Sequence, residues 1–202
     1  MPRLSKAAWI TLVAVLLLPL ISMTVVPFYD TSEPRYAEIA RIMVQSGDWI
    51  TPWFSPGVPF WGKPPLSFWA QALSMKAFGF TEFGGRFPSW ICLLLTNAIL
   101  LAGLRSLRGP RVALWTAIVY SSGALAYISS GAVLTDPFLA LGTTLSFVSF
   151  AMVVQGRSLS LKISGDQQRG EQTGTMHKRG FRWWQYGFFV GLAIGLLAKG
   201  PL

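Results

Sequence analysis

The chain has 202 residues, 52% of them hydrophobic and 12% charged, with a mean hydropathy of +0.47, so composition excludes an ordinary soluble domain and specifies an integral membrane protein. A net charge of +9 raises nucleic acid as a partner, but the basic residues are scattered over short connections and form no single stripe, which excludes it. One cysteine, Cys92, lies in an apolar run, which leaves no internal disulfide and no CxxC site, and the one histidine, His177, sits in a basic loop where solvation explains it better than ligation.

The chain opens with Arg3 and Lys6 and an apolar run from Ala7 to Val26, long enough to cross a bilayer. It reads as a retained anchor rather than a cleaved signal peptide, because the run exceeds a usual signal core and no A-x-A site follows. A polar segment, 27–86, comes next. Its first helix has Pro34 in the first turn, Ser32 or Glu33 as cap and Gly47 as stop. Tyr36, Ile39, Ala40 and Met43 make one apolar stripe opposite Arg35, Glu38 and Gln45, as in an amphipathic helix lying on a membrane surface. The prolines and glycines of DWITPWFSPGVPFWGKPPL exclude a long regular element, while Trp49, Trp53 and Trp61 suit interfacial depth. Residues 65–78 predict a second surface helix with Leu66, Trp69, Leu73 and Met75 as its apolar contacts, ended by Gly79.

Four more spans are expected, over about Phe87–Leu104, Val112–Ser129, Pro137–Gln155 and Trp183–Leu202, with Thr96, Asn97 and Thr116 tying helices together. Residues 156–182, rich in Ser, Gly, Gln, Lys and Arg without apolar periodicity, read as a mobile cytoplasmic loop. If five spans alternate, Arg3, Lys6, Arg105, Arg108, Arg111 and the basic residues of 156–182 share one side. The 27–86 segment, whose charges cancel, lies on the other. The positive-inside rule then puts the amino terminus in the cytoplasm.

That topology gathers Asp30, Glu33, Arg35, Lys63, Asp136 and Lys199 on the outer side. Each has a plainer reading: Asp136 as the cap of a helix beginning at Pro137, Lys199 as a snorkelling side chain, Lys63 as an interfacial anchor. Together they supply what glycosyl transfer from a lipid phosphate needs, a carboxylate to take a proton from an acceptor hydroxyl and cations to hold charge on the departing phosphate. A transporter or flippase-like protein is the alternative. It would place ionisable residues mid-span and show internal repeats, and the sequence has neither.

The segments EPRYAEIARIM, SGDWITP, KPPLSFW, FGGRFPS, AVLTDPF and LAKGPL, in this order, resemble successive signatures of bacterial membrane glycosyltransferases related to lipid A aminoarabinose transferase and protein O-mannosyltransferases. The resemblance implies an all-α membrane protein, the amino-terminal part of a C-type glycosyltransferase with two juxtamembrane helices in its first outer loop. It implies an acidic base in that loop, a polyprenyl-phosphate sugar donor, a lipid, glycan or protein acceptor, surrounding membrane lipids and a location in the inner membrane. By position, Glu33 and Arg35 match the loop's acidic and basic pair, Lys63 the KP lysine, Asp136 the second-loop aspartate and Lys199 the lysine closing the fifth span. Catalysis is thus expected from Asp30, Glu33 and Asp136, and donor phosphate binding from Arg35, Lys63 and Lys199.

Two positions depart from that pattern. Aminoarabinose transferases typically carry DE, where this chain has Ser32 before Glu33 and its aspartate at Asp30, which leaves the base between Asp30 and Glu33. They also carry a metal-associated glutamate before the KP lysine, where this chain has Gly62. No cofactor and no metal is expected from these residues, a divalent metal being left open. As the family resembled runs to several hundred residues, the chain reads as an amino-terminal fragment or a truncated gene product with little or no transferase activity by itself.

Overall fold

The computed structural model describes residues 6–28, 31–166 and 178–200, with 156–166 and 178–182 described by backbone course alone. Helix α1 spans Lys6–Val25. Its Thr11, Ser22 and Thr24 hydroxyls donate to carbonyls three or four residues back, which satisfies them inside the apolar run. Ala8 and Leu12 pack on Leu114, Ala117 and Ile118 of α5 (Pro110–Ser122). The Trp90 indole of α4 (Glu82–Arg108) donates to the Leu16 carbonyl at 2.8 Å.

Helix α2 is Ser32–Ser46 and α3 is Leu66–Phe78. Neither Ser32 nor Glu33 caps α2, contrary to expectation. Thr31 takes the flanking position, and Glu33, inside the first turn, is drawn to Arg86 and the Val133 N–H. Gly47 does stop the helix, at φ 74°, with its N–H on the Met43 carbonyl. Tyr36, Ile39, Ala40 and Met43 are buried and share a core with Phe68, Ala72 and Met75 of α3. The face of α3 corrects the sequence reading. Leu73 is exposed, whereas Ser67, Gln71 and Ser74 are buried. The helix is covered on two flanks. Phe68 and Ala72 meet α2, while Leu66 and Ala70 meet Cys92 of α4, Phe138 and Leu141 of α7 (Asp136–Asp166) and Ala198 of α8 (Lys178–Lys199), so a single apolar stripe does not describe it.

Between α2 and α3 a short hairpin pairs β1 (Trp53–Ser55) with β2 (Val58–Pro59) in antiparallel fashion. The Pro56–Gly57 turn, with Gly57 at φ 81°, makes it possible where only irregular chain was expected.

Helix α4 starts well before its apolar stretch, because Thr81 caps it by accepting the Gly84 N–H at 3.1 Å. Asn97 links α4 to α5, accepting from the Ser121 hydroxyl at 2.9 Å. The expected third span is broken. Gly123 is extended, at φ −62° and ψ 132°, and α5 turns by 68° into α6 (Ala124–Ser130). Helices α7 (Asp136–Asp166) and α8 (Lys178–Lys199) run antiparallel, with Gly142 against Gly191 and Gly195 and the Ser146 hydroxyl donating to the Phe188 carbonyl. Both helices run into the expected 156–182 loop. Elongating an established helix is easy where no proline intervenes, and of that expected loop 167–177, His177 included, lie outside the described residues.

The molecule is therefore a multi-span helical membrane protein. Among the described residues α1, α4 and 136–155 of α7 are each long and apolar enough to cross, and the bent α5–α6 pair makes a fourth if it counts as one broken span. The expected fifth rests on α8, which lies along α7.

Candidate active site

The segment after α2 is shaped by one carboxylate. Asp48 Oδ1 accepts the Ile50 and Thr51 N–H groups, each at 3.0 Å, and Oδ2 accepts the Trp53 indole N–H at 2.8 Å. Led by the Thr51 bond, these contacts hold the Asp48 carboxyl below the usual carboxylate range. The chain then doubles back, with the Phe60 N–H on the Pro52 carbonyl at 2.7 Å. The Phe60 ring packs against Tyr36 and Phe68. Gly62 leaves room for it, since a Cβ there would lie 2.8 Å from Phe60 Cζ.

This fold-back makes one wall of a cleft of about 460 Å³. Ile50, Pro52, Trp61, Gly62, Lys63, Pro64 and Pro65 come from the 50–65 segment, and Lys199 and Gly200 from the end of α8. Two of the expected phosphate-binding cations, separated by 136 positions, thus line one apolar-walled cleft. Lys199 is the last residue of α8 and Asp136 the first of α7, so each charge suits the helix end that carries it. Lys199 Nζ donates to Asp136 Oδ1 at 2.5 Å, with side chains 29% and 44% exposed. The Gly200 N–H, at φ 78°, closes the helix on the Leu196 carbonyl. The sequence reading of Asp136 as only a helix cap omits this pairing.

Glu33 is elsewhere. It is buried and bound through both oxygens to Arg86, at 3.0 and 2.9 Å, while Oε1 also accepts the Val133 N–H at 2.9 Å. Arg35 is exposed on α2 and does not line the cleft. Asp30 lies outside the described residues. Among the described residues no three His, Cys, Asp or Glu side chains gather as a metal would require. Sequence reasoning missed Arg86. The available signal was its place, an arginine in the second turn of a helix about to become apolar, where an unpaired charge is costly.

Residues 7–202 match the model of the family described as dolichyl-phosphate-mannose-protein mannosyltransferase. The chain belongs to that family. Among curated members it is similar to an undecaprenyl phosphate-alpha-4-amino-4-deoxy-L-arabinose arabinosyl transferase 2 of Sodalis glossinidius, 36% identical over 63% of this chain and 23% of the relative. The corresponding transferase of Edwardsiella ictaluri is 35% identical over 79% of this chain and 29% of the relative. Among solved structures, ArnT from Cupriavidus metallidurans bound to undecaprenyl phosphate superposes with a TM-score of 0.76 at 22% identity, covering 97% of this chain and 33% of that one. That structure shares its fold with this chain, which spans between 23% and 33% of the length of these relatives.

Proposed function

We propose that this chain carries the donor-phosphate part of a glycosyltransferase site, in which a sugar passes from a polyprenyl phosphate to a lipid, glycan or protein acceptor at the outer face of the bacterial inner membrane. The observation that carries the reading is the cleft where Lys63 and Lys199 face apolar walls of Ile50, Trp61 and prolines. A lipid phosphate has matching parts, an anion for the lysines and hydrocarbon for the walls. The relatives are named for undecaprenyl phosphate-linked aminoarabinose, and we take a sugar on undecaprenyl phosphate as the donor class. The charge distribution favours a cytoplasmic amino terminus, which puts the cleft on the outer side. The whole chain is read as one transmembrane region, with 27–86 as its outer segment and 156–182 on the cytoplasmic side.

In the reaction a carboxylate, Asp30 or Glu33, takes the acceptor hydroxyl proton as the oxygen bonds to the anomeric carbon. The bond from that carbon to the phosphate oxygen breaks, its electron pair leaves with the phosphate, and configuration at the sugar inverts. Lys63 and Lys199 hold the charge that develops there, and Arg35, exposed on α2 outside the cleft, is left without a part in that contact. Asp136 keeps the Lys199 ammonium in place. Release of polyprenyl phosphate from a sugar-charged donor tests this in membranes containing a full-length version of the protein. Lys63→Ala and Lys199→Ala are each expected to lower kcat/KM for the donor at least about tenfold, the worth of one charged hydrogen bond. Wild-type rates in both variants would refute it.

A further inference from the structure

The sequence carries a second basic corner, which the cleft does not use. Arg105 and Arg108 lie at the end of α4 and Arg111 at the start of α5, all exposed, with Gly109 making the turn between them at φ 91°. Ala8 and Leu12 of α1 pack on Leu114, Ala117 and Ile118, so the Lys6 end of α1 reaches the same side of the molecule. Among the residues whose side chains are described, no carboxylate answers these charges. The ion pairs join Glu38 to Arg41, Glu33 to Arg86 and Asp136 to Lys199, and Glu82 stands at the other end of α4, roughly 35 Å along the helix from Arg105.

From this corner α5 runs on with two apolar faces. Ala113, Leu114, Ala117 and Ile118 are buried, the last three against α1 and Leu101 of α4. The opposite face lines an open groove of about 530 Å³ that begins at Arg111 and continues over Val112, Trp115, Thr116, Val119 and Tyr120. It follows the helix for about 14 Å, at 1.5 Å per residue, before the chain bends by 68° into α6. A bilayer's hydrocarbon is about 30 Å thick, so the groove is one leaflet deep.

An apolar face alone would meet any hydrocarbon, and the charged rim is what selects a ligand. A guanidinium fork matches phosphate oxygens in pairs, and Trp115, one turn further along, suits the level where headgroup gives way to acyl chain. A zwitterionic headgroup would bring an ammonium of its own to three guanidiniums that repel it. We infer that this groove binds a glycerophospholipid with an anionic headgroup, its phosphate on Arg111 and one acyl chain along Val112, Trp115, Val119 and Tyr120. The site shares no residue with the Lys63–Lys199 cleft. It needs the membrane-spanning fold and not the transferase reading.

The test uses a full-length version of the protein in detergent micelles, with native mass spectrometry counting bound lipid as phosphatidylglycerol or phosphatidylcholine of the same acyl chains is added. Wild type is expected to hold phosphatidylglycerol at least about tenfold more tightly, the worth of one charged hydrogen bond. Arg111→Gln, at an exposed position, should bring the two lipids within about threefold of each other, and Arg111→Lys should fall between, keeping the charge and losing the fork. The preference should survive in the Lys63→Ala, Lys199→Ala double variant, which separates this groove from the cleft. Wild type without a preference, or a preference that persists in Arg111→Gln, would overturn the site, as cover by another part of the protein or by a second copy would produce. Displacement of phosphatidylglycerol by millimolar inorganic phosphate would overturn the lipid in favour of a free anion. Displacement by equimolar undecaprenyl phosphate, lost in Arg111→Gln, would overturn it in favour of the donor lipid.

Discussion

One methyl group at Gly142 would measure how far the cleft depends on the contact between α7 and α8. A Cβ there would lie 2.6 Å from the Gly191 carbonyl oxygen and 2.7 Å from the Gly195 nitrogen. Ordinary contact is about 3.5 Å, so the helices must part by roughly 1 Å to admit it. Overpacking of this kind costs about 1–3 kcal/mol. Gly191→Ala should behave alike, since its Cβ would meet the Gly142 oxygen at 2.5 Å. Gly195 is the control on the same helix. Its Cβ would touch only Leu139 Cδ1, at 3.6 Å, so Gly195→Ala should be neutral or stabilising by up to about 1 kcal/mol through helix propensity. Equilibrium unfolding in mixed micelles, followed by circular dichroism, separates the three. Because Asp136 and Lys199 close the end of this helix pair, Gly142→Ala should also weaken anion binding in the cleft. Equal stability of Gly142→Ala and Gly195→Ala would refute the close-packed interface.

Three further outcomes follow from single contacts. Both amide atoms of Gln71 are buried without a hydrogen-bond partner among the described residues, so Gln71→Met should raise stability by about 1–3 kcal/mol, and a comparable drop in the unfolding experiment would contradict this. Asn97→Ala strands the Ser121 hydroxyl, and a double-mutant cycle with Ser121→Ala should give a coupling of about 0.5–2 kcal/mol, where zero would deny the α4–α5 link. The Asp48 carboxyl is held down by its N–H donors, so its contribution is complete above the ordinary carboxylate pKa and is lost only as pH falls through the lowered value. The Trp53 indole N–H resonance should therefore keep its bonded shift down to below about pH 3.9, and a midpoint at or above that would count against the turn.

Much of this architecture is written locally. Gly47 and Gly79 end helices because their left-handed φ suits glycine, and the Tyr36, Ile39, Ala40 and Met43 stripe is buried because it is the only apolar side of its helix. Gly123 looked like one more residue of a span, since an interior glycine signals a break only when its ψ is known. The polar face of α3 was hidden because burial on two flanks leaves no apolar periodicity to read. At the site, the residue types of Lys63, Asp136 and Lys199 were legible from their sequence contexts, and their meeting at one cleft depended on the pairing of α7 with α8. Glu33 was marked as acidic and important, but its partner, 53 positions away, could not be chosen from charge alone.

In the proposed site two lysines from distant parts of the chain serve one phosphate. Titration of undecaprenyl phosphate into the micelle-embedded protein tests this most directly, with wild type set beside Lys63→Ala, Lys199→Ala and the double variant. The expected result is a loss of at least about tenfold in affinity for each single change and a further loss for the pair. Unchanged affinity in the double variant would show that the cleft does not hold the phosphate.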